Sequence, residues 1–154
     1  MARLPTELSL RIARSIDDIP ARTFYGVARL RQEVFVVEQG CVYLDLDGRD
    51  LESTAVQLWA EAADGEVAAT VRTLDESRRE PGLRSIGRVV TAPAWRGRGV
   101  AAALLEAAIA ECAGGPILIH AQAHLEAWYE RFGFAASGEG FLEDGIPHLP
   151  MRIG

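Results

Sequence analysis

Alternating and periodic apolar positions divide the first third of the chain into a predicted strand, helix and loop. Residues Leu8–Ala13 alternate apolar with polar side chains, which predicts a first strand. Asp17 or Asp18 can cap a helix that should continue to about Val36. The segment EQGCVYLDLDGRDLE that follows is acidic and interrupted by glycines, so we expect an irregular loop there.

The middle of the chain predicts three strands. Two apolar runs, Ala55–Ala62 and Glu66–Leu74, are joined by the tetrapeptide ADGE, whose Asp-Gly pair is a strong hairpin signal. Residues 75–83 form a charged loop. A third strand is predicted at Ser85–Thr91, because this run is rich in β-branched residues.

The last third of the chain predicts two helices and three strands. An alanine-rich helix should run from about Gly99 to Cys112, followed by a short buried strand, ILIHA. A second helix is predicted around HLEAWYERF, and two short strands should flank EDGIPH. The predicted order β-α-β-β-β-α-β-α-β-β indicates one mixed α/β domain over residues 1–154.

Composition and charge exclude several classes of partner. The chain is 49% hydrophobic and 25% charged, as expected for a soluble globular protein. Its 16 Lys and Arg residues against 22 Asp and Glu residues give a net charge of −6, which argues against a nucleic-acid partner.

Cysteine usage and the apolar runs point to a cytoplasmic protein without a membrane partner. Cys41 and Cys112 are too few for a disulfide framework and do not form a metal-binding pair, so no metal is expected. No signal peptide is recognised at the N-terminus. The longest apolar run, Val100–Ala110, contains Glu106 and is too short to span a bilayer.

The segment RGRG, directly before the alanine-rich helix, is the strongest chemical signal. Glycines at a helix start leave its first N–H groups open, and these groups together with the helix dipole favour phosphate. A structural explanation is that the glycines only permit a tight turn and the arginines are solvated. The sequence GRGVAA formally matches a dinucleotide-binding pattern, but TAPAWR separates the glycines from the strand, and no P-loop is present.

The segment RGRGVA resembles the signature Q/R-x-x-G-x-G/A of the GCN5-related N-acetyltransferases (GNAT), with Arg96, Gly99 and Ala101 at its defining positions. In that family the signature follows the fourth strand and opens a helix, and a tyrosine precedes Gly-Phe, as in WYERFGF here. The segments LRQEVFVVEQ, DLDGRDLE, AQAHLEAWYERFGF and EDGIPH together resemble the ElaA-type subgroup over nearly the whole chain.

The resemblance implies a fold and an activity. The fold would be a mixed, mostly antiparallel sheet of about six or seven strands flanked by helices. The activity would be acetyl-CoA-dependent N-acetyl transfer, in which a small-molecule or peptide amine attacks the thioester directly. Residues implied in donor binding are Val89, Val90, Thr91, Arg96, Gly97, Arg98, Gly99, Val100, Ala101 and Gln122.

Tyr129 is the predicted general acid, by its match to the tyrosine of the family. A phenol with a pKa of about 10 stays protonated at neutral pH and can donate to a departing thiolate. The structural alternative is that Tyr129 packs beside Trp128 and Phe132 on an amphipathic helix.

The general base has several candidates. Many relatives carry a glutamate on the strand before the signature, where this chain has Arg88. Glu38 and His148 are the leading candidates, and a water relay would need no single base. Other candidates are Glu33, His120, Glu143 and Asp144.

Three further hypotheses concern specificity and class. An acidic rim that attracts a cationic amine could be formed by Glu38, Asp45, Asp47 and Asp144. The segment LRQEVFVVEQ also resembles acyl-homoserine-lactone synthases, which makes an acyltransferase of that kind an alternative. A regulatory acyl-CoA-binding module without catalysis is a second alternative, and a homodimer is compatible with the sequence.

Overall fold

The apolar runs form one eight-stranded sheet in the computed structural model, which describes residues 2–154. The strands are β1 (Leu8–Ala13), β2 (Val56–Ala62), β3 (Val67–Asp75), β4 (Arg84–Thr91), β5 (Ile117–Gln122), β6 (Ala135–Ala136), β7 (Phe141–Glu143) and β8 (Ile146–Ile153). The order across the sheet is β1-β2-β3-β4-β5-β8-β6, and β7 pairs with the first residues of β8, whereas β6 pairs near its end. Within residues 2–154, β4 and β5 are the one strand pair that runs parallel.

The predicted α/β fold with a mixed, mostly antiparallel sheet is confirmed. The sequence predicted seven of the strands, and β6 is the additional one. With two residues, β6 is too short to produce a periodic pattern. It exists because it pairs with β8 at Arg152 and Met151.

Three helices accompany the sheet: α1 (Ala21–Arg31), α2 (Val100–Glu111) and α3 (Glu126–Glu130). Helix α1 continues as a π-helical segment, Gln32–Glu38, so the predicted end near Val36 is close to the observed one. The predicted cap at Asp17 or Asp18 is wrong. Both residues lie in a short 3₁₀ turn capped by Ser15, and α1 begins after Pro20.

Two apolar clusters lie on opposite faces of the sheet. Helix α2 packs on one face through Leu104, Leu105 and Ala108. Helix α1 packs on the other face through Val27 and Leu30. No helix among residues 2–154 is both long and apolar enough to cross a bilayer.

A bulge in β4 reverses the direction of its side chains. Ile86 belongs to the cluster under α2, whereas Val90, four residues later, belongs to the cluster under α1. In a regular strand these two residues would face the same side. The pairing with β3 shifts at this point, and Arg88 has a φ of 55°, the left-handed region that is costly for a residue other than glycine.

Strands β4 and β5 separate soon after they meet. Their pairing joins Arg84–Ile86 with Ile117–Ile119 and does not continue beyond these residues. The following part of β4, residues 87–91, is paired with β3 on one edge only. A cleft therefore opens between the carboxyl ends of two parallel strands, which is where α/β folds commonly bind ligands.

Candidate active site

The cleft between β4 and β5 has a volume of about 1100 Å³, and all residues predicted for catalysis or donor binding line it except Arg98 and the candidate base Glu33. Its walls come from β4, the start of α2, helix α3, the π-helical segment and the turn between β7 and β8. The predicted residues that line it are Glu38, Val89, Val90, Thr91, Arg96, Gly97, Gly99, Val100, Ala101, Gln122, Tyr129 and His148.

The loop between β4 and α2 presents backbone N–H groups to the cleft. Gly97 and Gly99 have φ values of 76° and 75°, in the left-handed region that favours glycine. Gly99 is the N-cap of α2, and its carbonyl accepts a helical hydrogen bond from the N–H of Ala103. The N–H groups of residues 100–102 have no acceptor within the helix, which makes this loop suited to an anion.

The two arginines of RGRG point to different partners. Arg96 binds both carboxylate oxygens of Glu38 at 3.0 Å and lies on the cleft. Arg98 binds Glu7 at 3.0 Å and covers the ring of Trp95 at 4.9 Å. Arg98 is therefore placed outside the cleft.

Glu38 is occupied by this ion pair. Both of its carboxylate oxygens accept hydrogen bonds from Arg96, so the carboxylate is oriented toward the arginine. The next residue, Gln39, accepts a hydrogen bond from the side chain of Gln122 at 3.2 Å. The end of the π-helical segment thus connects the α2 loop to the end of β5.

Tyr129 lies in the wall of the cleft on α3. Its side chain is 5% exposed and packs edge-on against Trp128 and Phe134, with ring centroids 4.9 Å and 6.0 Å away. Burial raises the pKa of Tyr129 to about 12, so the phenol is protonated at neutral pH. The packing expected from the amphipathic pattern is present, and Tyr129 also lines the cleft.

Glu143 lies between two histidines that also line the cleft. Its carboxylate is 3.5 Å from Nε2 of His148 and 4.0 Å from Nδ1 of His120. The ring of Phe141 stacks on His148 and meets His120 edge-on. The tight turn at Asp144 and Gly145, both with positive φ, brings Glu143 back over β8.

The hydrogen bonding of His148 leaves one ring nitrogen for proton transfer. Nδ1 is 2.7 Å from the carbonyl oxygen of Ile146, which can only accept, so Nδ1 carries a proton. In the neutral ring Nε2 then holds the lone pair. Burial lowers the pKa of His120, which keeps that ring neutral at pH 7.

The expected acidic rim is wrong for Asp45 and Asp47, because arginines neutralise both residues. The fully buried Arg31 donates to Asp45 at 2.8 Å and to Asp50 at 2.7 Å. Arg72 binds both oxygens of Asp47 at 2.9 Å and 3.0 Å. Burial alone would raise the pKa of Asp47, but these hydrogen bonds hold that pKa at about 2.

Sequence reasoning missed this buried ion network. One signal was available, because Arg31 stands on the same helix face as Val27, Leu30 and Val34, which are buried. A charged residue in an apolar stripe requires a buried partner of opposite charge.

Arg88 ties the β4 bulge to the acidic loop. Its guanidinium lies 2.9 Å from Asp45 and 3.2 Å from Asp47, and 5.5 Å from the ring centroid of Tyr43. A positively charged side chain therefore stands at the bulge of β4, and it holds the loop beside the cleft. It does not supply a base.

Arg88 gives a test of backbone strain in β4. Arg88→Ala loses the ion pairs and keeps the positive φ, whereas Arg88→Gly loses the same ion pairs and relieves the strain. We expect the glycine variant to be the more stable of the two by about 1 kcal/mol. This is the cost of the left-handed conformation for alanine, reduced by the backbone entropy that glycine loses on folding. Urea unfolding of both variants measures this difference, and a more stable alanine variant would contradict the assignment.

The fold and the cleft define a GNAT acyltransferase. The family model described as "Acetyltransferase (GNAT) domain" matches residues 27–154. The chain belongs to the GNAT acetyltransferase family. Enzymes with this fold use acetyl-CoA as a substrate.

Particular relatives confirm the resemblance to ElaA. Protein ElaA of Escherichia coli is 37% identical over 139 residues, which cover 87% of this chain and 89% of ElaA. UPF0039 protein Rv2851c of Mycobacterium tuberculosis is 47% identical over 134 residues, covering 87% of this chain and 86% of the relative. The crystal structure of an acyl-CoA N-acyltransferase from Pseudomonas aeruginosa has a TM-score of 0.87 at 40% identity, covering 96% and 99% of the two chains.

The likeness to acyl-homoserine-lactone synthases is one of fold. The synthase LasI matches with a TM-score of 0.71 at 16% identity, over 94% of this chain and 88% of that one. At this identity the likeness concerns the fold and not the reaction.

Among residues 2–154, His, Cys, Asp and Glu form no group of three or more that could hold a metal ion.

Proposed function

We propose that the protein is an acetyl-CoA-dependent N-acetyltransferase in which an amine attacks the thioester directly. One observation carries the proposal. The glycine loop with its open N–H groups and the buried phenol of Tyr129 line the same cleft beside an unpaired strand edge. These features match the needs of acyl transfer, which are a held donor, a polarised carbonyl and a proton for the leaving sulfur.

The donor is held by backbone groups. The N–H groups of residues 100–102, with Gly97 and Gly99, bind the pyrophosphate. The pantetheine arm lies along Val89–Thr91, where β4 has no partner on the side of β5. A backbone N–H of this edge polarises the thioester carbonyl.

The chemical step moves two protons. The amine nitrogen bonds to the thioester carbon, and the C–S bond then breaks to release a thiolate. Tyr129 donates its hydroxyl proton to the sulfur and recovers a proton from water. The proton lost by the nitrogen passes to Nε2 of His148, directly or through water.

His148 is the proposed base in preference to Glu38. Its Nε2 has a lone pair in the neutral ring, and the carboxylate of Glu143 lies 3.5 Å from this nitrogen. The carboxylate of Glu38 already accepts two hydrogen bonds from Arg96.

A glycine substitution tests the donor loop. Gly97→Ala places a side chain on a residue with φ of 76°, and the loop must relax at a cost of about 1–2 kcal/mol. We expect CoA affinity to fall about tenfold, as measured by calorimetric titration. Gly65→Ala is the matched control, since Gly65 has φ of 90°, equally open surroundings and a position outside the cleft. Equal loss of affinity in both variants would contradict the role of the loop.

The activity itself is tested with acetyl-CoA and a panel of amines. We expect CoA to raise the melting temperature and free thiol to appear with at least one amine. Stabilisation without thiol release across the panel would instead favour a binding module. Release only with an acyl-carrier-protein donor would favour the synthase alternative, and absence of any CoA effect would contradict the proposal.

A further inference from the structure

We propose that the acceptor is an amine that also carries a carboxylate, and that Arg79 binds this carboxylate. The inference rests on the proposed function and names its substrate class. It concerns the acceptor groove, defined here as the part of the cleft floored by Ser85, Gly87, Leu118 and His120.

The floor of the acceptor groove is kept open at Gly87. Ten of the fifteen glycines have a positive φ, and at four others an added Cβ would lie within 3.4 Å of another atom, but neither holds for Gly87. A Cβ added at Gly87 would meet no atom within 4 Å, so close packing does not require a glycine either. Its missing side chain leaves space on the cleft side, which suits a ligand that lies flat on the strand.

One of the cleft's arginines makes no ion pair within residues 2–154, although its charge acts at longer range on the carboxylate of Glu76. Five arginines line the cleft, and four of them have a carboxylate within 4.0 Å. Among residues 2–154 Arg79 has no such partner. The paired arginines are Arg49 with Glu76, Arg72 with Asp47, Arg88 with Asp45, and Arg96 with Glu38.

Arg79 belongs to the end of the groove that is far from the donor loop. The N–H of Arg79 donates to the carbonyl of Glu76, and the carboxylate of Glu76 accepts a hydrogen bond from Ser85 at 3.0 Å. Ser85 pairs with Leu118 near the start of both parallel strands. The positive charge of Arg79 also reaches His120, whose pKa it lowers together with burial.

The other end of the groove is acidic. Glu143 lies beside His120 and His148, and within residues 2–154 Asp144 has no cationic side chain within 4.0 Å. Gln122 pairs with His148 and donates to Gln39, next to the residue that binds the donor loop. The acidic end of the groove therefore lies on the donor side of the cleft. An amine is attracted here and a carboxylate at Arg79, so the groove complements a zwitterion.

The length of the groove limits the size of the acceptor. Gly87 lies two positions after Ser85, and His120 two positions after Leu118, which is about 7 Å at the rise of a strand. An extended peptide covers about 3.3–3.6 Å per residue, so amino acids and dipeptides fit.

Arg79→Gln and Arg78→Gln test the proposal as a matched pair. Arg78 is the neighbouring exposed arginine, and it does not line the cleft. The acceptors are amino acids and dipeptides, each compared with its own carboxamide. We expect Arg79→Gln to raise KM for the carboxylates about 10- to 100-fold with little change in kcat, because a hydrogen-bonded charge pair is lost. The carboxamides should be unaffected, and Arg78→Gln should change neither set.

The outcomes separate this inference from the proposed function. Equal KM values for carboxylates in the wild type and Arg79→Gln, with acetylation intact, would overturn the inference and leave the function standing. If no acceptor in the panel is acetylated, titration of the carboxylates into the CoA-saturated protein decides the same question by affinity. Absence of any CoA-dependent rise in melting temperature would overturn the proposed function.

Discussion

Replacing Tyr129 with phenylalanine should lower turnover by about 10- to 10⁴-fold and leave CoA affinity unchanged. The variant keeps the ring, its contacts with Trp128 and Phe134, and the shape of the cleft. It removes the one hydroxyl proposed to protonate the departing sulfur. Steady-state kinetics with acetyl-CoA, together with calorimetric titration of CoA, measures both quantities.

Tyr43→Phe is the control for this prediction. Burial also raises the pKa of Tyr43 to about 12, but its hydroxyl is bonded to Asp45 at 3.3 Å. Its loss should reduce turnover at most a few-fold. Wild-type turnover in Tyr129→Phe, or an equal loss in the two variants, would refute the assignment of the acid.

The pH dependence follows from the same pKa. An acid must be protonated to act, so its contribution disappears as the pH rises through its pKa. Because the pKa of Tyr129 is about 12, deprotonation of this group should cause no fall in kcat below about pH 11. A decline nearer pH 8 would indicate a different acid.

Replacing Arg31 with alanine should destabilise the protein by about 3–5 kcal/mol. The guanidinium is fully buried and makes hydrogen bonds to the carboxylates of Asp45 and Asp50. Without it, two buried carboxylates remain with fewer partners. This loss is a large share of the about 5–15 kcal/mol by which ordinary domains are stable, and urea unfolding measures it.

A control on the same helix separates burial from charge. Arg29 pairs with Glu33 through side chains that are 70% and 52% exposed, and Arg29→Ala should leave the stability nearly unchanged, because the pair is screened by solvent. If Arg31→Ala does not fold, Arg31→Lys keeps the charge without the planar fork and should be intermediate. Similar stability of the two alanine variants would contradict the buried network.

Local patterns predicted the elements of the fold and the donor loop. Alternation and hairpin signals act over a few residues, so β2, β3 and β4 could be recognised in the sequence. The signature around Gly97 and Gly99 was equally local, and the structure gives both glycines the positive φ that such a turn requires.

Features that depend on distant partners could not be predicted. The partners of Arg31 are 14 and 19 residues away, and its burial is decided by how a loop folds over α1. His120, Glu143 and His148 were separate candidates in the sequence, and their grouping results from the pairing of both β5 and β7 with β8. The φ of Arg88 depends on a shift in register with β3.

Three residue pairs join β4 to β5, so the two halves of the sheet are connected along a short seam. In the proposed complex the pantetheine arm extends this seam and acts as a substitute strand. Recognition by main-chain groups does not depend on which side chains β4 carries, so the strand can vary in sequence without loss of donor binding. Amide hydrogen exchange would report this directly, as slower exchange at residues 87–91 of β4 when CoA is bound.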